Sequence, residues 1–597
     1  MGARQDPPRD RGTRRRGRAP TAYRRPGLHP DAETVLFPAE ASVGALPRPR
    51  EAHPDGLPPR VPADGGEPGA RPPDPGHGAA GHGAAGHGAA GTAPPPAHRP
   101  SRRRTWISRA VLLTILCMQA VLSLRMHNTA FEDEALYLYS GRLELAHLIH
   151  GAPLQGNFAA YFSGAPVLYP VLGAAANAVG GLAAARAVSL AEMLATTALL
   201  YSLTRRLFDE RVALCAAVLF AVTEPAIFLG NLATYDASAL FLLAGAAWIA
   251  VRTAHARWPL VLLAAPVAAL AVATKYAALL YVPAVTLLYA FAAWPRSRRR
   301  ALAYSVLLMA AVAGLLDGAL RLAGPDYLQA IQGTTLARAQ GTTPVTTLLK
   351  ESLLWGGALF ALAIVGAVAY ARRAPTEPRA QIAARGGRVR RISLGVVLTG
   401  TALLAPAVQL HLHTDVSFQK HIGFGLFFAA PMAGVGLARI IGDHFRRPQI
   451  GVAIWGVVLV LGMVQASQLF SGWPDSRPLV GALSRYLRPG ARYLVEVPEV
   501  PIYYLTGRPG AQPQQFTSTF VIAYTDGRGQ TLTGTPGFVA AIRDGYFRVV
   551  AYNGAVTPAV DGAVARALQT SGSYRLAKIV LFQGSFAHAP YYIWVKR

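Results

Sequence analysis

The chain has 597 residues, of which 52% are hydrophobic and 15% charged, and its 58 Lys plus Arg outnumber its 31 Asp plus Glu by 27. Soluble proteins carry about 25% charged residues, so this composition argues against a soluble enzyme of this length. The two cysteines, Cys117 and Cys215, lie in apolar runs, which excludes a disulfide scaffold or a cysteine-rich metal site. The basic excess lies in a tail and in short loops between long apolar runs, which indicates a multi-pass membrane protein rather than a nucleic-acid-binding protein.

Residues 1–104 form a tail that is rich in Pro, Arg and Gly and contains three Gly-His-Gly-Ala-Ala repeats from Gly76. Such a segment buries too little apolar surface to offset its ordering entropy, so we predict that it is disordered. We expect no signal peptide, because no apolar stretch opens the chain. The first apolar run begins at Trp106, directly after Ser101-Arg-Arg-Arg104. By the positive-inside rule the tail is predicted to be cytoplasmic.

Runs of about 20 apolar residues predict transmembrane helices. We predict eleven, near 106–125, 186–204, 211–230, 235–252, 258–273, 275–294, 301–321, 348–371, 392–411, 421–441 and 449–469. With the N-terminus inside, the basic clusters all fall in cytoplasmic loops, including Arg205-Arg206, Arg296-Ser-Arg-Arg-Arg300 and the loop 372–391. Hydropathy alone defines the eleven spans, so this one-sided distribution of basic residues supports the topology independently.

Segments predicted to lie outside the membrane include the Gly/Thr-rich loop near 322–347, the first loop and the C-terminal residues. The first external loop, 126–185, is semi-apolar and broken by prolines, which predicts amphipathic helices along the outer interface. Residues 470–597 have the patterning of a soluble domain, with strand-like runs at 493–497, 547–551 and 578–582. Helical stretches near 478–488, 536–545 and 559–570 separate them, which predicts a small α/β domain with a largely parallel sheet.

Ionisable residues at the bilayer edge are costly and are therefore functional candidates. The topology brings several of them to the outer face from separate parts of the chain. They are Asp133 and Glu134 after the first span, Asp236 at the start of the fourth, Lys275 between the fifth and sixth, and His411, His413, Lys420 and His421 between the ninth and tenth. A carboxylate can act as general base on an acceptor hydroxyl. Lys and His can neutralise a phosphate leaving group. The set therefore predicts transfer from a phospholipid-like donor to an external hydroxyl.

Each residue also has a structural interpretation. Asp133 and Glu134 are compatible with the solvated start of a loop, and Asp236 with a helix cap. Lys275 is compatible with snorkelling to the interface, and His411 and His413 with interfacial packing. For Asp317 and Arg321, four residues apart near an outer helix end, a structural ion pair is the preferred interpretation.

The motifs in this order resemble a known family. The acidic pair after the first span is followed by Pro166-Val-Leu-Tyr-Pro-Val-Leu, and then by Ala185-Arg-Ala-Val-Ser-Leu and Tyr201-Ser-Leu-Thr-Arg-Arg-Leu-Phe208. Ala271-Val-Ala-Thr-Lys-Tyr276 and Ser417-Phe-Gln-Lys-His-Ile-Gly-Phe-Gly425 complete the pattern. Residues 106–470 resemble the GT-C glycosyltransferases, and most closely glycosyltransferase family 39, the protein O-mannosyltransferase and ArnT-like group.

The resemblance implies an all-α polytopic fold with a catalytic membrane domain at 105–469, in the plasma (cytoplasmic) membrane. It implies a polyprenyl-phosphate-linked sugar as donor and an inverting displacement at its anomeric carbon. Asp133 would be the base, Glu134 would position it or the acceptor, and Asp236 would be the second acidic site. Lys275, Lys420 and His421 would hold the lipid phosphate, with Tyr137 and His413 in the same substrate-binding set.

Three points are open from the sequence alone. Glu132 makes the motif a triple acid, so the base could be offset by one residue. Some family members use a divalent metal near these acids, but the first loop lacks a clear Asp-x-Asp pair, so the metal is unknown. The sugar and the nature of the acceptor, whether protein, lipid or polysaccharide, are not determined.

The alternative function is transport, as a lipid-linked sugar flippase or a secondary transporter. Transporters place their substrate sites near the midplane on broken helices, often within internal repeats. This sequence shows no convincing repeat, and its strongest polar groups lie at the outer edge. A sensor anchored by the spans is a further alternative, but eleven spans exceed what anchoring needs. No nucleic-acid partner is predicted.

Overall fold

The computed structural model describes residues 102–154, 156–256, 258–338, 340–372, 387–442, 446–581 and 590–597. Nearly all of the predicted disordered tail, 1–104, lies outside the described residues. From Ile107 to Arg597 the chain belongs to one compact unit that contains both the helices and the sheet.

Fifteen α-helices precede the C-terminal domain in the described part of the chain. They are α1 (Arg102–Ser123), α2 (Asp133–His150), α3 (Tyr169–Leu207), α4 (Glu210–Ala221), α5 (Glu224–Leu229), α6 (Tyr235–Thr253), α7 (Ala264–Thr274), α8 (Val282–Ala293), α9 (Arg298–Ala323), α10 (Pro325–Ile331), α11 (Val345–Arg372), α12 (Arg388–Gly400), α13 (Leu404–Leu412), α14 (Phe418–Ile441) and α15 (Pro448–Gly472).

Nine helical segments in the described residues are long and apolar enough to cross a membrane, so the prediction of a multi-pass helical membrane protein is confirmed. They are Trp106–Ser123, Tyr169–Leu207, Tyr235–Thr253, Tyr276–Ala293, Arg298–Ala323, Val345–Arg372, Arg388–Leu412, Phe418–Ile441 and Pro448–Gly472. Each of them contains most or all of one predicted span.

The other two of the eleven predicted spans are helical but shorter. The segment predicted at 211–230 divides into α4 and α5 because Pro225 opens a new helix after Thr223. The segment predicted at 258–273 is a helix over Leu260–Thr274, too short by itself for a 30 Å hydrocarbon core. The proline-marked break was not anticipated because the hydropathy of 211–230 is continuous.

The first predicted loop, 126–185, contains two helices. α2 fills much of its first half, and α3 already begins at Tyr169 and continues through the predicted second span to Leu207. The backbone leaves helical geometry at Gly180 and Gly181, the latter with a φ of 65° that favours glycine, so α3 kinks there. α2 can lie close to α3 because residue 141 is glycine: a Cβ there would be 1.8 Å from the carbonyl oxygen of Pro170.

The helix α14 occupies the centre of the bundle, since nearly all of its side chains are buried. It is rich in Gly and Ala, which lets the neighbouring backbones approach closely. Lys420 lies in the first turn of this helix and is therefore carried into the interior.

The C-terminal region contains a small sheet with helices, so its predicted α/β character is confirmed. Its elements are α16 (Arg477–Leu483), β1 (Tyr493–Val495), α17 (Glu499–Leu505), β2 (Phe516–Ser518), β3 (Ala523–Thr525), β4 (Thr531–Thr533), α18 (Gly534–Arg543), β5 (Val549–Tyr552), α19 (Pro558–Thr570), β6 (Tyr574–Val580) and β7 (Tyr591–Lys596).

The five-stranded sheet has the order β2-β1-β5-β7-β6, and a separate hairpin pairs β3 with β4. The β2-β1-β5 half is parallel, whereas β7 runs antiparallel to both β5 and β6, so the prediction of a largely parallel sheet is only half right. The physical reason is the short connection between β6 and β7, residues 581–590. A parallel return needs a crossover of a dozen or more residues.

Candidate active site

Asp133 opens α2 and is held in the interior by an ion pair. Its Oδ2 lies 2.5 Å from the Nζ of Lys420, and both side chains are almost fully buried. Removing a carboxylate and an ammonium from water is costly unless they are paired, and this pair neutralises both charges. The structure therefore does not place Asp133 at a solvated loop start, and it makes Lys420 the direct partner of the predicted base.

Asp236 forms a second buried pair, with Lys275. The Nζ of Lys275 lies 2.8 Å from Asp236 Oδ1 and 4.6 Å from the centroid of the Tyr235 ring. The hydroxyl of Thr234 donates to Asp236 Oδ2 at 3.0 Å. Lys275 is buried rather than extended to the interface, so it does not snorkel. Asp236 is in the first turn of α6, but its oxygens are used by side chains rather than as a cap.

The backbone around Lys275 is fixed by the first loop. α7 ends at Thr274, and Lys275 adopts an extended conformation before a short 3-10 segment. The N–H of Tyr276 donates to the carbonyl of Ser163, and that of Ala165 donates to Ala273. Gly164 is required for this approach, because a Cβ there would lie 2.0 Å from the carbonyl oxygen of Thr274.

Glu134 is fully buried and both of its oxygens are occupied. Arg186 of α3 binds it bidentately, with Nε to Oε1 at 2.8 Å and Nη2 to Oε2 at 2.7 Å. The backbone N–H of Ala233 also donates to Oε1 at 2.8 Å. Arg186 further donates to the carbonyls of Asn128 and Thr129. Glu134 thus joins α2 and α3 to the segment that leads into Asp236, as a positioning group.

Of the remaining predicted residues, Tyr137 and His421 lie beside the two ion pairs, whereas His411 and His413 do not. The hydroxyls of Tyr137 and Tyr235 are 2.7 Å apart, beside the Lys275 pair. His421 follows Lys420, and its Nδ1 is 3.5 Å from Gln409 Nε2. His413 instead ends α13 in a left-handed conformation, where its carbonyl accepts from Thr343, and His411 is exposed. Neither of these two histidines lines the cavity described next.

A cavity of about 460 Å³ brings four of the predicted residues together, namely Asp133, Tyr137, Lys275 and His421. Lys420 and Asp236 lie behind the lining residues. Each forms an ion pair with a residue of the lining, Lys420 with Asp133 and Asp236 with Lys275. The rest of the lining is mostly apolar and aromatic, and includes Leu279, Leu280, Tyr281, Pro283, Leu336, Ala405, Val408, Leu412 and Phe424. The cavity thus has a charged part and an apolar wall, the pattern of a site for an amphiphilic ligand.

Arg338 also lines the cavity, and the sequence analysis did not single it out. Its Nε is buried and has no hydrogen-bond partner among the described residues. Lys420 neutralises Asp133, and Asp236 neutralises Lys275. Arg338 therefore gives the cavity a net positive charge. An arginine in the predicted external loop 322–347, where Asp326 is the only other charged residue, was the signal that could have identified it.

Glu132 differs from Asp133 in its position and in the environment of its carboxyl group. It does not line the cavity. Burial, with Asp133 and Glu499 nearby, raises the pKa of the Glu132 carboxyl well above its ordinary value. A general base must be ionised, and a raised pKa favours the protonated form. Among the three adjacent acids this favours Asp133 as the base.

The residues do not fit a divalent metal. Both cavity-side carboxylates are engaged by lysines, and Glu134 is engaged by Arg186. Across the described ranges, no group of three or more His, Cys, Asp or Glu side chains is arranged to hold an ion. We therefore derive no metal-assisted step.

Elsewhere, the predicted pair of Asp317 and Arg321 is confirmed, with Arg321 Nε 2.9 Å from Asp317 Oδ2. Both side chains are exposed, 60% and 78% respectively. The pair belongs to the surface of α9 and not to the site.

Two solved structures share the fold. The chain is similar to ArnT from Cupriavidus metallidurans bound to undecaprenyl phosphate, with a TM-score of 0.51 and 14% identity over 83% of this chain and 98% of that one. It is also similar to the oligosaccharyltransferase AglB from Archaeoglobus fulgidus in complex with an inhibitory peptide and a dolichol-phosphate, with a TM-score of 0.50 and 13% identity over 82% and 74%. These likenesses define a GT-C membrane fold.

Residues 166–316 match the family described as dolichyl-phosphate-mannose-protein mannosyltransferase. No curated protein matches the chain. The matched range includes Arg186, Asp236 and Lys275. The chain therefore carries a glycosyltransferase family 39 domain and is a membrane glycosyltransferase, as the sequence motifs predicted.

Proposed function

We propose that this protein transfers a sugar from a polyprenyl-phosphate-linked donor to a hydroxyl acceptor at the outer face of the plasma membrane, with inversion. One observation carries the proposal: a single cavity joins an apolar wall to Asp133, Lys275 and Arg338. A polyprenyl chain matches the wall, and a phosphate matches the net positive charge.

The chemistry follows from this placement. Asp133 accepts the proton of the acceptor hydroxyl as the oxygen attacks the anomeric carbon. A new carbon–oxygen bond forms on one face of the sugar while the bond to the phosphate oxygen breaks on the other. The lipid phosphate leaves with the bonding electron pair, and Lys275 and Arg338 stabilise the charge that develops on it. Lys420 and Glu134 hold Asp133 in place, and Asp236 holds Lys275.

The direct test is transfer of label. Membranes that contain the protein are incubated with radiolabelled polyprenyl-phosphate sugars, and the label is traced to its acceptor. The proposal requires label on a hydroxyl-linked product and release of unglycosylated polyprenyl phosphate. Movement of intact labelled donor across the bilayer, with no bond cleavage, would instead support the flippase alternative.

Neutralising Lys275 should weaken use of the donor more than use of the acceptor. A charge-assisted hydrogen bond contributes about 1.5–3 kcal/mol, so Lys275→Met should raise the donor KM about tenfold or more. Steady-state kinetics with the donor and acceptor varied separately measure this difference.

The control separates binding of phosphate from support of Asp236. The double variant Lys275→Met/Asp236→Asn restores charge balance without restoring the cation. If Lys275 contacts the phosphate, the donor KM of the double variant stays high, and Arg338→Met raises it as well. Recovery of the donor KM in the double variant, with no effect of Arg338→Met, would restrict Lys275 to a structural role.

Orientation gives a separate prediction. Because the basic loops share one side, we propose a cytoplasmic N-terminus and an extracytoplasmic C-terminal domain. In a variant that lacks Cys117 and Cys215, an impermeant thiol reagent added to intact cells should label Gly527→Cys and spare Arg388→Cys, both of which are exposed positions. The reverse labelling pattern would place the site on the cytoplasmic face.

A further inference from the structure

A second pocket, of about 560 Å³, lies where the ends of α1 and α15 meet the start of the C-terminal domain. We call it the interfacial pocket. It is lined by Arg125, His127, Asn128, Ser467, Phe470, Ser471, Asp475 and Arg477. None of these residues lines the cavity that contains Asp133, so the interfacial pocket is a separate site.

Arg125 is fixed in the wall of this pocket. Its Nε donates to the carbonyl of Leu122 at 2.9 Å, its Nη1 donates to the hydroxyl of Ser467 at 3.0 Å, and the guanidinium lies 5.6 Å from the centre of the Phe470 ring. Its Nη2 is buried and has no hydrogen-bond partner among the described residues. A buried donor without an acceptor is destabilising, and more so when it is charged. An anionic oxygen in the pocket would remove this cost.

The other groups of the pocket favour an anion. Arg477 forms a bidentate pair with Asp475, and 77% of its side chain is exposed, so it places a second guanidinium at the rim. The charges of Arg125, Arg477 and Asp475 sum to +1. Ser467 supplies an exposed hydroxyl, which accepts from Arg125. Guanidinium groups with hydroxyl donors are the pattern that binds phosphate.

The surroundings indicate what carries the phosphate. Apolar side chains just before the pocket residues are exposed along both helices. They are Val121 on α1 with Leu124 directly after it, and Val460 and Val464 on α15. Both helices are candidate membrane spans, so these faces meet acyl chains and the pocket lies at the level of the headgroups. Free phosphate would gain nothing from the apolar faces, whereas a lipid would.

We propose that the interfacial pocket binds the phosphate of an anionic glycerophospholipid, with its acyl chains along α1 and α15. Because α15 leads directly into the C-terminal domain, the bound lipid stabilises the junction at Trp473, whose indole donates to the carbonyl of Thr129. The site is independent of the donor cavity and does not depend on the proposed transfer reaction.

The test uses the full chain in phosphatidylcholine nanodiscs titrated with phosphatidylglycerol, with retained lipids counted by native mass spectrometry. The wild type should retain one phosphatidylglycerol that Arg125→Met binds at least about tenfold more weakly, with Arg125→Lys intermediate. Arg321→Met, which removes an exposed arginine near the end of α9, is the matched control and should retain it. If Arg125→Met does not accumulate, Arg477→Met combined with His127→Ala replaces it.

Three results would overturn the proposal. Retention that is equal in the wild type and the pocket variants would mean that no specific site exists. Displacement of phosphatidylglycerol by millimolar inorganic phosphate would identify the ligand as free phosphate. Selective loss of polyprenyl phosphate, rather than phosphatidylglycerol, from the Arg125 variants would assign the pocket to the donor lipid.

Discussion

Asp133→Asn should reduce sugar transfer by at least about 100-fold while donor binding stays normal. A hydroxyl is a poor nucleophile until a base accepts its proton, and loss of a general base costs about 10²–10⁴ in rate. Asn keeps the size of Asp and an acceptor for Lys420 but cannot take the proton. The measurement is transfer at saturating donor and acceptor, together with donor binding by the same preparation.

The controls test whether the base is Asp133 or the adjacent Glu132, and whether the loss of transfer comes from a folding defect. Glu132→Gln removes a neighbouring acid that does not line the cavity and should have a much milder effect. Because Asp133→Asn leaves buried Lys420 without a counterion, Asp133→Asn/Lys420→Met tests the same base with the charge balanced. Near-full transfer in that double variant would contradict the role of Asp133 as general base. A larger loss of transfer in Glu132→Gln than in Asp133→Asn would contradict it as well.

Arg186→Met should strongly destabilise the protein. It should also reduce sugar transfer by the molecules that do fold. Breaking a buried ion pair by removing one partner costs about 3–5 kcal/mol, because it leaves the other charge uncompensated. Here the remaining charge is Glu134, whose side chain is 0% exposed. A clear fall in Tm and in membrane abundance is expected. Transfer per folded molecule should also fall, because Glu134 joins α2 to the segment before Asp236.

Two variants test this interpretation. Arg186→Met/Glu134→Gln removes both charges and should recover much of the Tm but not the transfer activity, since the bidentate link is absent. Arg321→Met breaks the exposed pair with Asp317, and exposed pairs contribute little, so its Tm should barely change. Equal Tm values for Arg186→Met and Arg321→Met would contradict a stabilising role of the buried ion pair between Glu134 and Arg186.

The elements that depend on the pattern of neighbouring residues could be predicted from the sequence. Hydropathy predicted the long helices because a span needs about 20 apolar residues in sequence. The strands at 493–497 and 547–551 were found in the same way. The break at Pro225 and the reversed direction of β7 do not follow from local patterning. A continuous apolar run hides the first, and the second follows from the short connection between β6 and β7.

The site was predicted in its residues but not in its pairings. Acidic and basic residues near span ends pointed to Asp133, Asp236, Lys275 and Lys420. Which lysine meets which carboxylate depends on the packing of α2, α6, α7 and α14, and these contacts join residues as far apart as 133 and 420. The resemblance implies that Lys420 contacts the lipid phosphate, which stays a prediction; in the structure Lys420 pairs with Asp133, because α14 is buried at the centre of the bundle.

Arg186 and Arg338 were not identified for different reasons. Arg186 lies within an apolar helix, where an isolated arginine gives no indication of its partner until α2 is placed against α3. Arg338 lies in the loop 322–347, which the sequence predicts to be external, and its place in the cavity lining depends on the fold. The partner of Arg186 and the place of Arg338 in the cavity lining are set by three-dimensional contacts.

The central claim is that the cavity lined by Asp133, Lys275 and Arg338 holds the donor. A cryo-electron-microscopy structure with a non-cleavable polyprenyl-phosphonate sugar tests it most directly. The account predicts the phosphonate within hydrogen-bond distance of Lys275 and Arg338, the prenyl chain against Leu280 and Phe424, and the anomeric carbon facing the side of Asp133. A phosphonate bound outside this cavity, with Asp133 remote from the anomeric carbon, would contradict it.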